Sequence, residues 1–100
     1  MAKVHIKFRP AHLYGLYTRA SVPDVVINLK DGMYSCTTHT FEVLGDDQDA
    51  AEEVFDLTNN PSRQDERERI YGIGRSLSSG DIVNVNGDNF VCLTMGWAKL

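Results

Sequence analysis

The fold class of this chain is decided by one stretch, RSLSSGDIVNVNGDNFVCL, at residues 75–93. Apolar and polar residues alternate on both sides of Asn86-Gly87-Asp88, and an Asn-Gly pair between two such segments is a strong signal for a β-hairpin. The preceding Ser78-Ser79-Gly80-Asp81 has the composition of a turn. We therefore expect residues 75–81 to form a corner that leads the chain into an antiparallel hairpin.

Other segments also have the pattern of strands. Residues 4–8 alternate, which indicates a half-buried strand that ends at Pro10. Residues 25–29 are rich in β-branched side chains and precede the turn signal Asp31-Gly32. We predict that they form a hairpin with the alternating segment 33–44. Residues 11–20 show no clear period and are expected to form a loop, whereas a last short strand is expected to begin at Gly96.

The acidic segment after Gly45 has the pattern of a helix. Asp46 or Asp47 is placed to cap it through a carboxylate, and Asn59-Asn60-Pro61 ends it. We predict a helix over residues 47–58, with two side chains buried against the sheet, those of Val54 and Phe55.

Residues 62–70 alternate in charge and have almost no apolar stripe, which predicts an exposed loop or a short salt-bridged turn. The whole pattern predicts a single α+β domain over residues 1–100. It would contain a small antiparallel sheet of about five or six strands with one main helix packed on one face. The expected order of elements is β-β-β-α-β-β.

The bulk properties are those of a small folded domain, with 100 residues, 42% apolar content and a net charge of −4. No apolar run reaches the roughly 18–20 residues that a membrane span needs. The alternating start is unlike a signal peptide. We therefore expect a cytoplasmic protein without membrane contact, in which Cys36 and Cys92 are buried, reduced thiols.

Charge is distributed unevenly along the chain. Residues 42–56 contain acidic side chains and no basic one, which repels phosphate backbones and favours a basic protein surface. The alternative is an ordinary solvated helix face. Residues 1–20 contain basic side chains and no acidic one. The candidate partner-binding residues are Asp49, Glu52, Glu53 and Asp56, and the candidate nucleic-acid-binding residues are Lys3, Lys7, Arg9 and Arg19.

No motif in the sequence points to catalysis or to a metal site. Cys36 and His39 are three apart on a predicted strand, so they would point to opposite faces and would not bind zinc together with Cys92. The G-x-G at residues 72–74 lacks the lysine and the following helix of a phosphate-binding loop. The histidines, which are His5, His12 and His39, have no accompanying nucleophile motif. We expect no enzymatic activity, no cofactor and no metal.

Two segments, VFDLTNNP at residues 54–61 and GRSLSSGDIVNVNGDNFVCLTMGWAKL at residues 74–100, carry a resemblance to a known family. Together they resemble a pattern in small proteins of bacteriophages, plasmids and other mobile elements, and they are similar to the YodL-like family. The resemblance covers about residues 54–100. The matching residues, for which a structural role is expected, are Arg75, Ser76, Leu77, Ser78, Gly80, Asp81, Ile82, Gly96 and Trp97.

The resemblance implies a protein encoded by a phage or mobile element. Together with the acidic helix, it leads us to expect a non-enzymatic accessory protein that binds a basic surface of a host protein in the host cytoplasm. The sharpest form of this hypothesis is an inhibitor of a host defence or nucleic-acid-processing factor. The alternative hypothesis is a nucleic-acid-binding accessory factor that uses the basic N-terminal strand.

Overall fold

The computed structural model of the chain describes residues 1–9, 22–34, 36–70, 72, 76–93 and 96–100, so the predicted loop at 11–20 lies outside it. Among the described residues, no helix combines the length and the apolar character needed to cross a bilayer. The described elements are β1 (Ala2–Phe8), α1 (Val22–Lys30), β2 (Cys36–Thr37), β3 (Phe41–Val43), α2 (Asp47–Asn59), a 3-10 turn (Pro61–Arg63), α3 (Gln64–Ile70), β4 (Ile82–Val85), β5 (Asp88–Cys92) and β6 (Trp97–Lys99).

The strands form one antiparallel sheet, which confirms the predicted α+β class. β4 pairs with one side of β1, while β2 and β3 pair with different parts of its other side, and β5 and β6 extend the sheet beyond β4. The β4–β5 hairpin turns at Asn86 and Gly87, whose φ angles of 51° and 100° are those that this tight turn requires. The hairpin prediction is therefore confirmed.

The alternation of side chains divides the sheet into two faces. Ile82 and Val83 are neighbours on β4 and therefore point to opposite faces. The face with Ile82 packs against α1, where Val25, Tyr34 and Val91 belong to a small core. The face with Val83 packs against α2 in the larger core, whose side chains include Val4, Ile6, Ala50, Val54, Leu57, Val85 and Phe90.

Residues 25–29 belong to α1, so the predicted strand and its hairpin with the following segment are wrong. Val22, Val25 and Leu29 recur at helical spacing and pack on the smaller core. This amphipathic spacing outweighs the preference of single β-branched residues for strands. Pro23 lies in the first turn of the helix, where its missing amide hydrogen costs little. The predicted order β-β-β-α-β-β is corrected accordingly.

Asp31-Gly32 ends α1 instead of turning a hairpin. Gly32 has a φ of 77°, and its amide donates to the Leu29 carbonyl at 3.2 Å. The Met33 amide donates to the Asn28 carbonyl at 2.9 Å, which completes a Schellman motif. A left-handed glycine serves both a helix end and a hairpin turn, and this ambiguity explains the wrong prediction.

Helix α2 confirms the element predicted at residues 47–58 and the burial of Val54. The predicted burial of Phe55 is wrong, because this side chain is 39% exposed. Asp46 occupies the N-cap position without a side-chain capping bond. Its backbone carbonyl accepts the amides three and four residues later, at 3.0 and 3.4 Å.

Residues 61–70 form the 3-10 turn and α3, where a loop or a short salt-bridged turn was expected. The Asn60 side chain caps this segment by accepting the Ser62 amide at 3.0 Å. Gln64 donates to Glu68 at 3.4 Å across one turn of α3. Polar pairs at this spacing stabilise a short helix that has no buried side chain of its own.

Candidate docking site

The motif residues at the start of β4 form a corner around a buried carboxylate. Asp81 is fully buried, and its Oδ1 accepts the Arg9 amide at 2.8 Å. Its Oδ2 accepts the Ser78 amide at 2.9 Å and the Ser78 hydroxyl at 3.3 Å. These donors are part-buried and therefore need an acceptor within the fold, because an amide that is shielded from water and unpaired is costly. The Asp81 carboxylate therefore ties the end of β1 to the turn that enters β4.

Ser76 and Leu77 attach this corner to the C-terminal end of α2. The Ser76 hydroxyl donates to the Thr58 carbonyl at 2.9 Å, and the Leu77 amide donates to the Thr58 hydroxyl at 3.2 Å. The Asn59 amide group donates to the Leu77 carbonyl at 3.2 Å. The two segments that carry the family resemblance therefore contact each other in the fold.

The remaining motif residues also contact the fold itself. Gly80 has a φ of 93°, and its amide donates to the Cys92 carbonyl at 2.7 Å. The Tyr34 hydroxyl donates to the Gly80 carbonyl. Trp97 is half-buried against the larger core, whereas Arg75 lies outside the described residues. These contacts support a structural role for the described part of the motif.

The predicted acidic residues form one stripe along α2. Their spacing of three and four places them on one flank of the helix. Asp49, Glu52 and Asp56 are exposed, and Glu53 is half-buried beside α3. Gln48 donates to Glu52 at 3.3 Å, which leaves both side chains facing solvent. We name Asp49, Glu52, Glu53 and Asp56 the acidic stripe.

The C-terminal half of the acidic stripe is held by Arg63. Its guanidinium bonds Glu53, Asp56 at 2.8 Å, and Glu66 of α3. Hydrogen bonds to these carboxylates raise the pKa of Arg63, and the Arg63 guanidinium holds the pKa of Asp56 and Glu66 below their usual values. The sequence indicated salt bridges within residues 62–70. The ion pairs from Arg63 to α2 were not predicted, because they depend on the direction that the 3-10 turn gives to the chain.

The N-terminal half of the acidic stripe is not neutralised in this way. In the part of the chain that the structure describes, no lysine or arginine forms an ion pair with Asp49 or Glu52. Their charges face solvent, where a partner of opposite charge would meet them.

An open groove of about 260 Å³ lies beside Glu53 and Arg63. Two of its apolar lining residues, Met1 and Leu44, are 75% and 65% exposed. Leu57 from the larger core also lines it. The groove was not predictable from the sequence, because most of the residues that line it lie on separate elements, namely β3, α2, the 3-10 turn and α3. Its other lining residues are Glu42, Val43, Glu66 and Ile70.

Only some of the residues of the alternative, nucleic-acid-binding site lie together in the fold. Lys3 and Lys7 lie on the same face of β1, with His5 between them. Burial and the nearby Lys7 charge lower the pKa of His5. Two guanidinium nitrogens of Arg9, Nε and Nη1, are buried, and the residue as a whole is half-buried. Arg19 lies outside the described residues.

The residues considered for chemistry are dispersed. Among the described residues, no three His, Cys, Asp or Glu side chains are grouped as a metal site. His39 Nε2 lies 3.0 Å from the Ile70 carbonyl oxygen. Cys92 is a buried free thiol, and burial together with the Asp81 charge raises its pKa to about 11. The side chain of Cys36 lies outside what the structure describes.

Comparison with family models, with curated proteins and with solved structures found no match for this chain. The similarity to the YodL-like family stays a prediction from the residues quoted above.

Proposed function

We propose that this chain is a non-enzymatic accessory protein of a phage or mobile element that binds a host protein through the acidic stripe. The observation that carries the proposal is the arrangement around α2, where the exposed carboxylates of Asp49, Glu52 and Asp56 share a helix flank with Glu53, which lines an open, partly apolar groove. Protein interfaces combine an apolar centre with a charged rim, and complementary charge guides the encounter of two partners.

The two halves of the acidic stripe differ in their ion pairing, and this difference supports the proposal. Arg63 fixes Glu53 and Asp56 against α3, which gives the groove a defined wall. Asp49 and Glu52 keep uncompensated charge at the exposed end of the same helix flank. A basic partner surface would neutralise these charges on binding.

The mobile-element origin is supported by the residues of the VFDLTNNP and RSLSSGD segments, which resemble proteins of such elements. The expectation that the chain acts on a host factor rests on an analogy with the accessory genes that such elements carry. Factors that process nucleic acids carry basic surfaces for phosphates. The sharpest form of the proposal is therefore inhibition of a host defence or nucleic-acid-processing factor, by occupation of its basic surface.

Capture from host lysate tests the proposal with charge-matched variants. The tagged chain is compared with the Asp49→Lys/Glu52→Lys variant and with the Asp31→Lys/Asp88→Lys variant. All four side chains are exposed, so both variants are expected to fold, and both have the same net charge. We expect the wild type and the Asp31/Asp88 variant to retain a basic host protein that the Asp49/Glu52 variant loses. Equal retention by all three chains would contradict the proposal.

A second candidate function is nucleic-acid binding, which is favoured by the placement of Lys3 and Lys7 on one sheet face. The test is a mobility shift with single-stranded DNA and RNA at physiological salt. Under this alternative, the Lys3→Gln/Lys7→Gln variant would bind more weakly, and its salt slope would fall by roughly 0.7 for each lost phosphate contact. We expect no shift with the wild-type chain.

A further inference from the structure

The outer edge of β3 presents backbone groups away from the sheet. Glu42 is paired in register with Lys3 of β1. The Lys3 amide and carbonyl both bond Asn86 on the opposite side of β1, each at 2.9 Å. In an antiparallel ladder, two opposed residues either bond each other or both point away. The Glu42 amide and carbonyl therefore point away from β1.

This edge borders the groove described above. Among the described residues, no strand pairs with the outer side of β3. Glu42, Val43 and Leu44 line the groove on the strand side, and Glu66 and Ile70 line it from α3. An edge strand facing a helix across an open groove is the arrangement in which an extended peptide adds to a sheet.

The lining of the groove specifies the chemistry of such a peptide. The accessible apolar lining from Met1, Leu44 and Ile70 suits apolar side chains on one face of an added strand. The charged lining residues are three carboxylates and one guanidinium, which leaves negative charge in excess and favours Lys or Arg on the peptide. Those residues are Glu42, Glu53, Glu66 and Arg63.

The size of the groove also fits a peptide. Its volume of about 260 Å³ lies just below the range of roughly 300–1,000 Å³ for sites that enclose drug-sized ligands. An open groove of this volume accommodates a few side chains while the peptide backbone runs along β3.

We propose that the groove between β3 and α3 binds an extended segment of a partner protein, with alternating basic and apolar residues, as an added strand paired with β3. The backbone of the segment bonds the Glu42 amide and carbonyl. Its apolar side chains contact Leu44 and Ile70, and its basic side chains face the carboxylates. The partner's basic character rests on the proposed function, whereas the pairing with β3 rests on the groove and the strand edge.

The test uses a fluorescent octapeptide of alternating Lys and Val with the full-length chain. We expect a Kd of about 100 μM or tighter, which corresponds to about −5.5 kcal/mol or more. A version with N-methyl groups on alternate backbone nitrogens has the same charge but does not form the ladder. We expect it to bind at least about tenfold more weakly, and an alternating Glu-Val peptide not to bind.

Hydrogen exchange of the Glu42 amide separates strand addition from general charge attraction. This amide faces away from the sheet, so it should exchange rapidly in the free chain and become protected when the Lys-Val peptide is bound. Binding without protection of Glu42, equal affinity for the N-methylated peptide, or no binding at about 1 mM peptide would each overturn the proposal.

Two exposed apolar residues provide matched variants. Leu44 is 65% exposed at the groove, and Ile27 is 57% exposed on α1 at the other sheet face. The Leu44→Lys variant should weaken peptide binding at least about tenfold, while Ile27→Lys should change it less than about twofold. Equal effects of the two variants would overturn the proposal. A melting temperature within the range of the wild type establishes that both variants fold.

The failures of the two proposals are distinguishable. If a host protein is lost from the Asp49→Lys/Glu52→Lys variant but retained by Leu44→Lys, strand addition is wrong and the proposed function stands. If the Lys-Val peptide binds and protects Glu42 while no host protein is captured, strand addition stands and the proposed function is wrong.

Discussion

Two carboxylate networks in this chain differ in burial and therefore in what their loss should cost. Asp81 is fully buried and accepts backbone amides from β1 and from the turn before β4. Arg63 has 19% of its side chain exposed and links α2 to α3 through ion pairs with carboxylates that are 27–53% exposed. Buried polar groups that lose their partners are costly, whereas exposed ion pairs contribute little. We therefore expect the stability of the fold to depend more on the corner than on the charged surface of α2.

The largest effect is expected at Asp81. The Asp81→Ala variant leaves the Arg9 and Ser78 amides without an acceptor inside the fold. Both amides are part-buried, and a stranded donor costs about 1–3 kcal/mol. Their loss of an acceptor, together with the loss of the buried Asp81 side chain, should lower the free energy of unfolding by about 4 kcal/mol, as measured by urea denaturation. Asp81→Asn keeps one acceptor oxygen and should lose less. A loss below about 1 kcal/mol for Asp81→Ala would show that the corner is not a stabilising centre.

Leu57 and Phe55, both on α2, should differ because one is buried and the other is not. Leu57 is 1% exposed in the larger core, and Phe55 is 39% exposed. We expect Leu57→Ala to cost about 3 kcal/mol, within the usual range of about 2–5 for core leucines, and Phe55→Ala about 1–2 kcal/mol. Thermal or urea unfolding measures both. The reverse order of the two losses would restore the prediction that Phe55 is a core residue.

Much of the sheet and the long helix could be predicted from the sequence because their signals are local. Asn86-Gly87 specifies its turn through the φ angles of two residues, and the apolar spacing in residues 47–58 specifies α2. The strand predicted at 25–29 failed because a short β-branched run fits both structures. Val25 of this segment packs against Ile82 and Val91, which lie far along the chain, and this packing favours the helix.

The candidate site could be predicted only as a helix flank. The spacing of the acidic stripe places its four residues on one side of α2, and this is local information. The partner of Glu53 and Asp56 is Arg63, whose approach depends on the 3-10 turn at Pro61–Arg63. The groove lies where β3, α2 and α3 come together. The periodicity of a sequence predicts single elements but not which of them pack side by side, so the groove could not be predicted.

A smaller effect is expected from the Arg63 cluster, and it should depend on pH. The pKa of Asp56 and that of Glu66 lie below their usual values of 3.8 and 4.5 because both carboxylates bond Arg63. The unfolded chain therefore binds more protons as the pH falls through these values. The stability that the cluster contributes should be fully present above about pH 4.5 and lost as the pH falls through the lowered pKa values.

The Arg63→Met variant tests this dependence. We expect its urea midpoint at pH 7 to fall less than that of Asp81→Ala, and its loss of stability between about pH 5 and 3 to be flatter than in the wild type. Arg69→Met is the control on the following helix, α3, because Arg69 is exposed and acts on Glu66 through the attraction of its charge. Identical acid profiles for Arg63→Met and the wild type would exclude a contribution from the cluster.

The last prediction about the fold concerns Cys92 and needs no mutation. The rate at which a thiol reagent labels this residue reports whether the strand beside the corner stays folded. Burial and the Asp81 charge raise the pKa of this thiol to about 11, so little thiolate forms at neutral pH. A thiol reagent should label Cys92 slowly in the native chain and rapidly in denaturant, as followed by mass spectrometry of the peptide that contains it. Native labelling as fast as in the unfolded chain would contradict burial at this position.

We expect the acidic stripe to bind a basic partner, and calorimetric affinities decide whether it does. The host protein captured by the wild type is purified and titrated calorimetrically against three chains, namely the wild type, Asp49→Lys/Glu52→Lys and Asp31→Lys/Asp88→Lys. We predict a loss of at least about a hundredfold, or ~2.7 kcal/mol, for the stripe reversal and less than about threefold for the charge-matched control. Equal affinities of the two variants would show that the acidic stripe does not bind the partner.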